Sequence, residues 1–149
     1  LITGKREATY KNENMEMGNE REDESRKLYE MIHGVTVSQV GFIYKDEAKR
    51  FLCSPDGVID GKYGLELKNV LGKTQVSRLV DMVLPSEYFS QIQFSLYVTD
   101  FPFWDFFSYS PAMKPLIIRC FPDLIFQKKL SAELEIFCND LNEIVQKIK

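Results

Sequence analysis

Histidine is nearly absent from this sequence: His33 is the one copy in 149 residues. Ser–His–Asp triads, Cys–His dyads and imidazole-based metal centres all need that side chain at their heart. His33 precedes Gly34 at the end of a helical pattern, where an imidazole can meet the last carbonyls, so it reads as a helix terminus. Cysteine is scarce as well. Cys53, Cys120 and Cys138 are odd in number and far apart. They form no Cys-x-x-Cys pair, which argues against a zinc site and leaves buried free thiols in a reducing compartment. No apolar run approaches the roughly 18 residues of a membrane span, and the N-terminal residues lack a signal-peptide pattern. The expectation is a soluble, cytoplasmic protein with no membrane partner. Positive charge is not in excess either, because the net charge is −3. That balance does not advertise a nucleic-acid binder. A site that concentrates carboxylates around a metal accommodates it, with basic contacts kept to one face.

What is present is enough for a core. Apolar residues make up 44% of the chain and aromatics 13%, which excludes a disordered chain and fits one domain over residues 1–149. Residues 1–17 are polar and carry no assignment. Residues 18–33 read as a helix with acids early, bases later and Gly34 as the stop. Residues 35–44 and 50–53 are rich in β-branched and aromatic side chains and read as strands around a Lys45-Asp46-Glu47 turn. Ser54-Pro55-Asp56-Gly57 is a strong turn signal, followed by the apolar step Val58-Ile59 and a second turn at Asp60-Gly61-Lys62. Residues 63–71 then predict a strand with Leu65 and Leu67 on one face and Glu66 and Lys68 on the other. A helix over 86–99, strands over 103–109 and 116–121, and a long amphipathic helix from 123 complete the chain. The order α-β-β-β-α-β-β-α predicts an α/β fold of the α+β kind, a mixed sheet flanked by helices.

Asp56 in a tight turn and Glu66 on the strand after it can be brought together when the two strands pair. Oxygen ligands without histidine or cysteine suit Mg²⁺, with Mn²⁺ as a substitute. Lys68 shares the face of Glu66. An ammonium beside a metal can orient or deprotonate water, or stabilise charge growing on phosphate. Two acids and a lysine are the parts of metal-assisted phosphodiester hydrolysis. Singly, each has a plain alternative: an ordinary turn, or the solvated face of an edge strand. Leu65, Leu67 and Val70 do not leave a simple two-faced exposed strand, which weighs against those alternatives together.

Ser54-Pro55-Asp56-Gly57 followed by Gly64-Leu65-Glu66-Leu67-Lys68 resembles the signature of the PD-(D/E)xK nucleases, whose core is restriction-endonuclease-like. More narrowly it is similar to the lambda-exonuclease, or YqaJ-like viral recombinase, branch. Gly18-Asn19-Glu20-Arg21-Glu22 with Arg26-Lys27-Leu28-Tyr29 is similar to that branch's first helix, Gly41-Phe42-Ile43-Tyr44 to the strand before the signature, and the segment 90–99 to its glutamine helix. The resemblance implies that Asp56, Glu66 and the carbonyl of Leu67 hold the metal, that Lys68 is the catalytic lysine, and that Glu22 holds a second metal or its water. It implies that Ser54 and Gln91 contact the scissile or terminal phosphate. Gln91 and Gln93 lie about 200° apart on a helix and cannot both face one site. The family pattern favours Gln91, while Gln93 with Tyr97 resembles the Gln-x-x-x-Tyr motif of other branches.

The resemblance further implies a 5′→3′ exonuclease on double-stranded DNA ends that exposes a 3′ strand for phage-type recombination. A trimeric ring and a single-strand annealing protein as partner come with it. Family members carry a longer region before the first-helix glutamate, with an arginine and hydroxyl residues for the 5′-phosphate, so the resemblance does not extend to that pocket. Two rivals remain at this stage: a restriction- or repair-type endonuclease of the same superfamily, and a non-catalytic DNA-binding module that keeps the fold. Glu22, Asp56, Glu66 and Lys68 are all present, which favours an enzyme.

Overall fold

The computed structural model describes residues 13–148, with side chains from 21 onward. Residues 1–12, including most of the polar stretch without a predicted element, lie outside the described residues. Helix α1 spans Glu13–His33 and ends as the sequence predicts. Gly34 takes a left-handed φ of +64°, and its N–H closes on the Glu30 carbonyl at 2.8 Å. The His33 ring packs 4.5 Å from that of Tyr29.

One strand prediction resolves differently. The single strand expected over 35–44 is two short ones, β1 (Val37–Ser38) and β2 (Ile43–Tyr44), which belong to different sheets. β2 pairs antiparallel with β3 (Leu52–Cys53) as a separate hairpin. β1 joins the edge of the main sheet beside β4 (Gly57–Ile59). Ser54 Oγ donates to the Gly41 carbonyl at 2.8 Å, between the two strands. Two partners compete for one stretch of chain, and the stretch divides at its glycine.

β5 (Tyr63–Asn69) follows, and the five-stranded sheet runs β1-β4-β5-β6-β7, with β6 at Trp104–Tyr109 and β7 at Leu116–Cys120. β5 and β6 are parallel; the other pairs in this sheet are antiparallel. A parallel pair needs a crossover. It is supplied by α2 (Gly72–Asp81) and α3 (Ser86–Thr99). α3 begins and ends as predicted; α2 is not foreseen at all. Its N-cap is Leu71 without a capping side chain, and no acidic residue stands in its first turn, so the usual start signals are missing.

The sheet is covered on both faces. Leu65 and Leu67 pack with Tyr29, Val37, Phe107 and Tyr109 under α1. Trp104 and Phe106 pack with Ile92, Leu96 and Val98 of α3 on the other face. Every residue of β6 is buried, as a central strand between two helical layers should be. Gly64 lies against the Trp104 ring, and a Cβ there would come within 2.1 Å of it. Cys53 and Cys120 are buried thiols and Cys138 is half-buried. Burial pushes the Cys53 thiol up to about 11. Helix α4 (Leu124–Ile148) closes the chain, with none of its residues buried and Leu124, Ile125, Ile136, Phe137, Ile144 and Ile148 exposed. No described helix is long and apolar enough to cross a membrane.

Candidate active site

Glu66 and Lys68 lie on the face of β5 toward α3, beside Phe106 and Ser108 of β6. Period-two alternation puts them there, but the helical layer above changes their state. Glu66 is 2% exposed. Its Oε1 accepts from Lys68 Nζ in a very short contact and from Gln91 Nε2 at 2.7 Å. Asp56 stands at the start of β4, where its Oδ2 accepts the Leu67 N–H at 2.8 Å and lies 4.0 Å from Lys68 Nζ. The turn and the strand thus converge on one ammonium, and the β4–β5 pairing makes them converge.

The charges do not balance. Two carboxylates share one lysine, and Glu66 is held above the ordinary carboxylate range by burial first and by Asp56 second, although Lys68 and Gln91 oppose this. Burial also works against the Lys68 ammonium, yet Glu66 and Asp56 outweigh it and keep its pKa raised. Lys68 therefore stays protonated. The cluster is short of positive charge, and a hard divalent cation among these oxygens would supply it. Among the described residues no three carboxylate, imidazole or thiol side chains form a metal cage by themselves. The oxygen donors gathered at Lys68 are the Asp56 and Glu66 carboxylates.

Glu22 on α1 is drawn toward the same place. Arg26, 5% exposed, donates to Glu22 Oε1 at 2.6 Å, to Asp23 at 2.8 Å and to the Asp56 carbonyl at 3.4 Å. Burial, then the nearby Asp56, raises the Glu22 pKa, against the pull of Arg26 and Lys68. Arg26 thus ties the first helix to the Asp56 turn.

A family profile described as YqaJ-like viral recombinase domain matches residues 2–102. The chain belongs to this family. The YqaJ-like fold is also that of solved alkaline exonuclease structures. The alkaline exonuclease LHK-Exo from Laribacter hongkongensis superposes with a TM-score of 0.84 at 24% identity, over 99% of this chain and 76% of the other. LHK-Exo in complex with dAMP gives 0.85 at 25% identity, over 99% and 77%. A comparison with curated proteins finds no match. The chain thus carries a YqaJ-like viral recombinase domain with the fold of these solved exonucleases.

Of the other predicted phosphate contacts, Gln91 faces the site and is exposed beside Glu66. Gln93 does not. It is 2% exposed, donates to the Phe121 carbonyl at 2.8 Å and accepts the Asp123 N–H at 2.8 Å. Its place as a substrate residue is corrected: the helical rotation turns it inward, where it secures the chain leading into α4. Tyr97, its motif companion, meets Ser131 of α4 at 3.3 Å. Ser54 is exposed and donates to the Gly41 carbonyl rather than to a site group. Arg26 was visible in the sequence only as part of the first-helix resemblance. An arginine four residues after Glu22 on one helical face is the signal that could have assigned its role.

Proposed function

We propose that this chain is a Mg²⁺-dependent 5′→3′ exonuclease on double-stranded DNA, leaving a 3′ single strand for recombination. The observation that carries the reading is the convergence of Asp56, Glu66, Lys68 and Gln91 with a deficit of positive charge. Asp56, Glu66 and the Leu67 carbonyl would hold the metal, with Mn²⁺ able to substitute. When bound, the cation supplies Lewis-acid chemistry to the phosphodiester. Lys68, beside both acids, would orient or deprotonate the attacking water or stabilise charge developing on the phosphate. The Asp56 carboxylate is aimed by the Leu67 N–H, and Glu66 by Gln91 and Lys68. Gln91, exposed beside them, would meet a phosphate oxygen, and Glu22 would hold a second metal or its water. Polarity and substrate rest on the family; the residues support metal-assisted hydrolysis. A ring of three copies and a single-strand annealing partner belong to the same reading.

Digestion of 5′-phosphorylated linear duplex and of covalently closed circles, each with Mg²⁺ or chelator, tests it. Loss of one strand from linear DNA alone, with Mg²⁺ alone, is expected. Cutting of circles would make it an endonuclease, and binding without cutting a non-catalytic module.

A further inference from the structure

Arg78 of α2 is a buried cation whose hydrogen bonds go to two hydroxyls. It is 7% exposed. Its Nη1 donates to Ser108 Oγ at 3.0 Å and its Nη2 to the Tyr88 hydroxyl at 3.1 Å. Glu87, 3.8 Å from Nη2, is largely exposed. Burying a guanidinium this way carries a desolvation cost, so what it holds bears on its presence. It holds Tyr88. The guanidinium carbon lies 5.3 Å from the centre of the Tyr88 ring, and Phe106 packs on that ring at 5.1 Å. The Lys68 ammonium stands 5.4 Å from the same centre. Strand register explains the meeting, because Ser108 is the β6 neighbour of Lys68 and Phe106 that of Glu66. Ser108 is itself fixed, donating to the buried Gln75 amide at 2.7 Å.

We propose that Tyr88, anchored by Arg78 and Ser108, is a positioning residue for Lys68, its ring forming the wall that confines the ammonium to the side of Glu66 and Asp56. A lysine stem has four rotatable carbons and a strongly hydrated head, and the Lys68 side chain keeps a route to solvent at 26% exposure. Two carboxylates attract the head, and an aromatic face attracts it from behind. The ring, more than the hydroxyl, does the confining; the hydroxyl keeps the ring in place.

The inference rests on the proposed function only in taking Lys68 as the working cation, so the test has two readouts on folded variants. One is single-turnover cleavage together with DNA affinity. The other is reductive methylation of Lys68 relative to the exposed Lys27, followed by peptide mass spectrometry. Tyr88→Leu should slow cleavage by about tenfold, the scale of a misplaced reacting group, with DNA affinity unchanged. It should also label Lys68 several-fold faster. Tyr88→Phe should retain most of the rate and the slow labelling. Tyr88→Met serves where Tyr88→Leu does not fold. Unchanged Lys68 labelling in the ring-less variant overturns the inference, as does a Phe variant as impaired as the Leu variant. A fall in DNA affinity with the rate intact also overturns it, making Tyr88 a substrate contact. Wild-type protein that cuts no DNA defeats the proposed function, while the labelling still decides the wall.

Discussion

At Glu66 the chain places a largely buried carboxylate with a second carboxylate nearby. Because its folded pKa is raised above the ordinary 4.5, the stability it contributes is fully present below that value. It is lost as pH rises through the raised folded pKa. Metal-free protein at neutral pH thus carries a penalty that a neutral side chain removes. Glu66→Gln should abolish cleavage and raise the melting temperature without metal, by a margin that grows as pH rises above 4.5. A margin that is flat or reversed in calorimetry would mean that Lys68 already compensates the charge. Lys68→Ala should lose on the order of 10²-fold in rate while still binding DNA in Ca²⁺, since the carboxylates remain. Loss of binding with the rate kept would make the lysine a phosphate anchor. Glu22→Gln separates two roles. Serving only as a partner of the buried Arg26, it should lower stability by about 1–3 kcal/mol and leave activity alone. Holding a second metal, it should raise the Mg²⁺ requirement and cut the rate steeply, and a Mg²⁺ titration distinguishes them.

Among the elements, β5 is the one on which the site depends, and its seat in the sheet depends on a missing side chain. A methyl on Gly64 would overlap the Trp104 ring, with 2.1 Å from the added carbon to Cε3. Trp104 is fully buried in the core under α3 and has nowhere to yield. Gly64→Ala should destabilise by about 1–3 kcal/mol, the cost of overpacking. The melting temperature should fall by about 2–4 °C for each of those kcal/mol. An unshifted melting curve would show that β5 can slide without harm. α1 is latched to the same sheet from the opposite face. The Tyr29 hydroxyl donates at 2.7 Å to Asp105, a fully buried carboxylate that Arg119 also holds at 2.9 and 2.8 Å. That latch sets the height of the helix that carries Glu22 and Arg26.

For the whole molecule, apolar residues stay exposed along α4, and the proposed three-copy assembly is tested by mass. Light scattering should give a mass near three times the 17.4 kDa chain, and a monomer at micromolar concentration would remove the ring from the reading. Much of the site was legible from local rules. Turn chemistry isolates Asp56, strand alternation puts Glu66 with Lys68, and helical rotation separates Gln91 from Gln93; these depend on neighbours a few residues apart, and the sequence holds them all. Tertiary structure alone decided the rest. It divided 35–44 between two sheets, because strand pairing is a contest between distant partners. It made α2 a helix without start signals, because a parallel β5–β6 pair requires a crossover. It also buried Glu66, brought Arg26 to the Asp56 carbonyl and set Arg78 behind Tyr88. Burial and charge are sums over everything packed nearby, and no stretch of sequence contains that sum.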